Sequence, residues 1–173
     1  IYSSPAAGYI ERDGELKIVI GTKNAVGGKL YILNANGTLV SEWQTPGSIV
    51  GSPILADFNN NDTLEIGIGF DYPSEGKDVL PQYEIFRIVD VTGEIIWNYH
   101  STMRVKSSPS FGHLGASEYL DLLFTASTLD GSPHDSLYVF EPATSTLIWK
   151  RELSECGSCS PIIANLDGSA PSE

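Results

Sequence analysis

Basic residues are scarce in this chain: 10 Lys and Arg stand against 22 Asp and Glu over 173 residues, a net charge of -12. So acidic a surface repels phosphate backbones and anionic lipid, which argues against nucleic-acid binding and against adhesion to a membrane surface. Long apolar runs are missing too; none approaches the ~18–20 residues of a membrane span, so no direct membrane insertion is expected. The first residues, Ile1-Tyr2-Ser3-Ser4-Pro5, lack the basic, apolar, small-residue order of a secretion signal and open abruptly in strand-like sequence. We therefore expect a processed or excised piece of a longer protein.

Cysteine is nearly absent. Cys156-Gly157-Ser158-Cys159 holds both thiols, too few for a four-ligand zinc site. A redox pair wants a helix N-terminus to lower the thiol pKa, and this one leads into Ser160-Pro161, a strand start. A local disulfide between Cys156 and Cys159 is the preferred reading, with free thiols as the alternative. His100, His113 and His134 share no metal-ligand spacing, and there is neither a Gly-x-Ser-x-Gly nucleophile turn nor a glycine-rich phosphate loop. Asp90, Asp121 and Glu84 lie in strand-like runs with nothing to mark an acid–base couple. Catalysis is not expected. Nor does any segment longer than about ten residues carry a helical period.

Repetition is what the chain has in abundance. A Ser-Pro pair recurs at Ser4-Pro5, Ser52-Pro53, Ser108-Pro109 and Ser160-Pro161, and a tryptophan closes each unit at Trp43, Trp97 and Trp149. The resulting repeats cover residues 1–47, 48–103, 104–155 and an incomplete 156–173. Each full repeat offers four short β-rich runs. They are Ser3 to Gly8, Leu16 to Gly21, Lys29 to Asn34 and Leu39 to Gln44 in the first. The second has Val50 to Ala56, Leu64 to Phe70, Tyr83 to Val91 and Glu94 to Tyr99; the third has Ser108 to Gly112, Leu120 to Ala126, Ser136 to Phe140 and Thr146 to Lys150. Asn36-Gly37 and Thr92-Gly93 are tight-hairpin signals. Four strands per unit of about fifty residues predict an all-β fold of β-propeller blades: three antiparallel blades and the first strand of a fourth, part of a larger propeller. A β-sandwich with accidental similarity is the competing architecture.

Between the first two runs of the second repeat lies Asp57-Phe58-Asn59-Asn60-Asn61-Asp62-Thr63-Leu64-Glu65. Oxygen-bearing side chains fall at alternate places, with carboxylates closing both ends. Calcium takes six to eight oxygens, and such a loop can wrap one ion. Asp57, Asn59, Asn61 and Glu65, with the carbonyl of Thr63, form the candidate calcium site; a metal-free Asx-rich turn is the ordinary alternative. The equivalent places in the first repeat hold Tyr9, Glu11, Asp13 and Lys17, where an aromatic and a cation replace the carboxylates. Those in the third hold His113, Gly115, Ser117 and Asp121, too few oxygens. Asn165, Asp167, Ser169 and Glu173 restore the pattern in the fourth as a second candidate.

The order Ser-Pro, an apolar pair, Asp57-x-Asn59-x-Asn61-Asp62-x-x-Glu65, then Ile66-Gly67-Ile68-Gly69 resembles the FG-GAP (VCBS-like) repeat of integrin α-subunit propellers. Lys29-Leu30-Tyr31-Ile32-Leu33-Asn34 leading to Trp43, and Val89-Asp90-Val91-Thr92-Gly93-Glu94-Ile95-Ile96-Trp97, are similar to the strand-turn-Trp pattern of quinoprotein propellers. The first resemblance implies a structural calcium at the Asp57 loop, departing from the usual pattern in its two Asn and in Asp62 where Gly is typical. Alternating loops place the metal loop on one face of the disc. Opposite it come the long second-to-third connections Thr22 to Gly28, Asp71 to Pro81 and Ser127 to Asp135, with Tyr72, Lys77, His134 and Asp135, where binding is expected. The expected role is a non-catalytic, secreted or cell-surface module for binding, adhesion or assembly. Its partner would be a protein or glycan ligand, or another chain completing the propeller. A quinone-dependent dehydrogenase or polysaccharide-active enzyme, and a self-associating building block, are the alternatives. Millimolar extracellular calcium suits a site with so few carboxylates, and Asn36-Gly37-Thr38 fits the glycan acceptor pattern.

Overall fold

The computed structural model describes residues 2–24, 27–72, 82–115, 117–129, 134–154 and 158–164. Period-two alternation punctuated by glycine yields three successive antiparallel sheets. The first comprises β1 (Ala6–Gly8), β2 (Lys17–Gly21), β3 (Gly28–Asn34) and β4 (Leu39–Thr45), hydrogen-bonded in chain order. The second repeats the order with β5 (Ile54–Ala56), β6 (Glu65–Gly69), β7 (Tyr83–Val89) and β8 (Ile95–Ser101). The third runs β10 (Ser110–Gly112), β11 (Asp121–Thr128), β12 (Asp135–Glu141) and β13 (Thr146–Leu153). A two-residue strand, β9 (Met103–Arg104), pairs with the end of β11, and one 3-10 turn occupies Pro142–Thr144.

The third-to-fourth hairpin is built the same way in every sheet. Gly37 and Gly93 hold left-handed φ of 85° and 88°, and each turn is followed by a β-bulge in the flanking strands. Gly37 N–H donates to Asn34 O and Gly93 N–H to Asp90 O, at 2.8 and 3.1 Å. In the third sheet Ser145, φ 56°, takes the glycine's part. A turn that ends in one left-handed residue and a bulge matches the twist of the strands it joins.

The repeated serines latch neighbouring units. Ser4 N–H donates to Ser52 Oγ (3.0 Å), Ser52 N–H to Ser108 Oγ (2.9 Å) and Ser108 N–H to Ser160 Oγ (3.0 Å). Aromatics fill the space between the second and third sheets: Phe86 stacks on Phe124 with centroids 4.8 Å apart, and Trp97 meets Phe140 at 5.2 Å. Between the first and second sheets Trp43 lies over the Gly93 turn, where a Cβ would come within 2.7 Å of the indole. The tryptophans are not all equivalent. Trp97 and Trp149 stand across from Ile88 and Val139, two residues nearer the hairpin than Trp43, which stands across from Leu30.

Candidate metal centre

Each sheet opens its second strand on a buried charged residue facing the loop before it. Lys17, Glu65 and Asp121 pair in register with Gly8, Ala56 and Gly112, and are 3%, 2% and 2% exposed. A charge so buried must be compensated, and each loop does so differently.

In the first loop the compensation is internal. The Lys17 ammonium lies 2.6 Å from Asp13 Oδ2 and 3.3 Å from Glu11 Oε2. The hydrogen bond to Asp13 raises the Lys17 pKa and lowers that of Asp13. Glu11 and Asp13 occupy the same loop places as Asn59 and Asn61, so the lysine sits where the second loop's ligands converge.

In the second loop the signs are reversed. Asn59 Nδ2 and Asn61 Nδ2 both donate to Glu65 Oε1 at 3.3 Å, Thr63 Oγ1 reaches the same oxygen at 3.4 Å, and Phe58 N–H donates to Glu65 Oε2 at 3.2 Å. Asp57 caps the loop, accepting from the N–H groups of Asn61 (2.9 Å) and Asp62 (2.8 Å). Left-handed φ at Asn60 (58°) and Asp62 (62°) curls the chain so that places 57, 59 and 61 share its inside. Asn and Asp tolerate that conformation at some cost, and glycine at none. Gly14, the counterpart of Asp62, has φ 75°. Asp62→Gly is accordingly expected to stabilise the fold by about 0.5–1 kcal/mol, seen as a rise of a few degrees in the thermal midpoint.

Two observations fit a divalent cation here. Asn59 Oδ1 is buried without a hydrogen-bond partner among the described residues, although an unpaired polar atom in the interior is costly. Burial, then the nearby Asp57 charge, raises the Glu65 pKa, and among the described residues no basic side chain pairs with this carboxylate. A half-turn of the Asn59 amide exchanges its nitrogen and oxygen and presents the orphan oxygen beside Glu65. The ligands would be Glu65, Asn59, Asn61, Asp57 and the Thr63 carbonyl. All but Asp57 border a cleft of about 550 Å³ whose other wall includes Glu11, Arg12, Asp90 and Glu94. Among the described residues no three His, Cys, Asp or Glu side chains converge, so any ion here leans on amide and carbonyl oxygens.

The loop is bracketed from both sides by residues outside its alternating pattern. Arg12 of the first sheet donates to the carbonyl of Asn61, and Asn60 Nδ2 donates to Glu118 O of the third at 3.2 Å. In the third loop Asp121 Oδ2 accepts from Leu114 N–H at 2.7 Å while Oδ1 has no partner among the described residues. His113 and Gly115 are exposed and bring no ligand to it. The second candidate, Asn165, Asp167, Ser169 and Glu173, lies outside the described residues, as does Cys156. Cys159 is exposed, and its carbonyl accepts from Thr125 Oγ1 at 2.7 Å. Of the expected binding loops, Lys77 also falls outside the described residues. Tyr72 is not displayed but buried, donating to Glu84 O at 2.6 Å. His134 Nδ1 is 2.6 Å from Glu152 Oε1, and Asp135 is buried. Glu84 is taken up by a two-pronged pair with Arg87, both contacts 2.6 Å.

No protein-family model matches the chain, and no curated protein matches it. Among solved structures it is similar to the biofilm matrix protein Bap1 of V. cholerae, at 19% identity and a TM-score of 0.41. The alignment covers 87% of this chain and 28% of that one, so the chain spans under a third of its neighbour. Among the described residues no helix is long and apolar enough to cross a membrane.

Proposed function

We propose that the chain is a segment of a β-propeller of the FG-GAP type, braced by calcium at Asp57, Asn59, Asn61, Thr63 and Glu65, and that it serves extracellular recognition or assembly without catalysis. The observation that carries this reading is the inward convergence of Asn59, Asn61 and Thr63 on a buried Glu65, with an orphaned amide oxygen beside it. Three consecutive four-stranded units, latched serine to serine, support the propeller; the brackets from Arg12 and Glu118 make the loop a brace between units.

Calorimetric titration with calcium is expected to show binding that Asp57→Ala abolishes. Because the folded Glu65 holds its proton above the ordinary pKa, its neutral form favours folding. That stabilisation is complete below the unfolded-chain value and lost as pH rises through the folded one. Proton and ion therefore compete, and calcium affinity is expected to fall as pH drops through this window. A titration without heat, or one indifferent to Asp57→Ala, refutes the metal assignment.

A further inference from the structure

Of two Asn-x-Thr triplets that fit the glycan acceptor pattern, the fold leaves one free and closes the other. In Asn36-Gly37-Thr38, at the tip of the first hairpin, the Thr38 N–H and hydroxyl both donate to Asn36 Oδ1, at 3.0 and 2.7 Å. Asn34 Nδ2 donates to the same hydroxyl at 2.9 Å. Two donors on one atom settle which end of the Asn36 amide is oxygen. The other end, Nδ2, has no partner among the described residues. Residues 36–38 are all exposed, and a Cβ on Gly37 would meet nothing within 4 Å. A neighbouring unit does not close such a tip. In the flanked middle sheet Trp43 covers Gly93, yet Thr92, the counterpart of Asn36, is still exposed.

Asn61-Asp62-Thr63 repeats the local arrangement. Thr63 N–H donates to Asn61 Oδ1 at 2.8 Å and the Thr63 hydroxyl to the same oxygen. Here the nitrogen is committed: Asn61 Nδ2 donates to Glu65 Oε1 at 3.3 Å, while Arg12 of the first sheet donates to the Asn61 carbonyl. The adjoining clefts differ in the same sense. Asn36 borders one of about 370 Å³ over the loop whose charge Lys17 already balances. Asn61 borders the cleft over Glu65. A sugar on Asn36 therefore obstructs no ion, and one on Asn61 would separate the loop from its buried carboxylate.

We propose that Asn36 carries an N-linked glycan and that Asn61 does not. The donor is a lipid pyrophosphate-linked oligosaccharide. Asn36 Nδ2 attacks its anomeric carbon, and a C–N bond forms as the bond from that carbon to the pyrophosphate oxygen breaks. The electron pair leaves with the lipid pyrophosphate, and the nitrogen gives one proton to a base of the transferase. The secondary amide that results keeps the oxygen to which Thr38 donates, so the turn is preserved. The proposal rests on the extracellular reading above, not on the ion.

Protein produced behind a secretion leader in a eukaryotic host, and recovered folded from medium or microsomes, tests it. Peptide N-glycosidase in heavy-oxygen water converts each former glycan site to labelled Asp, which mass spectrometry of the peptides locates. Label is expected on Asn36 in most chains and on Asn61 in none. Asn36→Gln is expected to abolish the glycan-dependent shift in electrophoretic mobility while leaving calcium binding as in the wild type. An unlabelled Asn36 overturns the proposal, as does label on Asn61 of the folded protein. A chain labelled at Asn36 that binds no calcium overturns only the metal assignment.

Discussion

Calcium is expected to raise the thermal midpoint of this protein by about 5–10 °C. A ligand that binds only the native state at a hundred times its Kd adds about 2.7 kcal/mol to the unfolding free energy, and for a chain of this size each kcal/mol moves the midpoint by about 2–4 °C. Sites with few carboxylates have Kd of about 10⁻⁴–10⁻³ M, so ten millimolar or more is the useful range. Asp57→Ala should abolish the shift, but it also strips the acceptor from two backbone N–H groups and so weakens the ion-free protein. Asn59→Ala separates the two effects. It removes the partnerless oxygen and one 3.3 Å contact, so the calcium shift should vanish while the ion-free midpoint changes little. Differential scanning calorimetry with calcium and with chelator decides the matter; a melting curve blind to both sinks the assignment.

A larger loss is expected from a residue far from any ligand. Gly51 precedes the second serine latch, and a Cβ there would fall well inside contact distance of the Ser107 carbonyl. Neither side can give way cheaply. Ser52 N–H is committed to Ser108 Oγ at 2.9 Å, and Ser107 Oγ donates to Thr125 O at 3.1 Å while accepting from its N–H at 3.2 Å. Overpacking against backbone stands at the upper end of its usual cost, so Gly51→Ala should destabilise by about 3 kcal/mol and lower the midpoint by about 6–12 °C. Gly115→Ala, whose added Cβ meets nothing within 4 Å, is the control. Equal melting of the two variants would show that the units do not approach as closely as described.

Strand content was legible because it is local. Alternation of apolar residues with glycine-bearing turns located the twelve principal strands to within a few residues. What failed to show was whatever depends on contact between units. The Met103–Arg104 strand pairs with Ser127 and Thr128 where the neighbouring Val105 crosses under Gly69, and no periodicity announces a two-residue strand. The tryptophans, spaced 54 and 52 residues apart, read as equivalent, yet Trp43 stands two residues farther from its hairpin than Trp97 and Trp149, with Ser41 in their place. At the site, the alternating oxygens were visible in sequence, as was the odd cation at Lys17. That Arg12 and Glu118 clasp the loop from neighbouring sheets was not, because each comes from a segment about fifty or more residues away. The serine repeat is plain in the sequence, but its latching role depends on the spacing between sheets.

In the first loop the counter-charge to Glu11 and Asp13 is the Lys17 side chain itself. An ammonium tethered by its own side chain cannot be diluted, chelated or washed out, and its presence is set by the gene rather than by the medium. The neighbouring unit, if its counter-charge must come from solution, is tuned to ambient divalent concentration. One molecule then holds a sensing module and, beside it, an insensitive copy that keeps the scaffold standing when the supply runs dry.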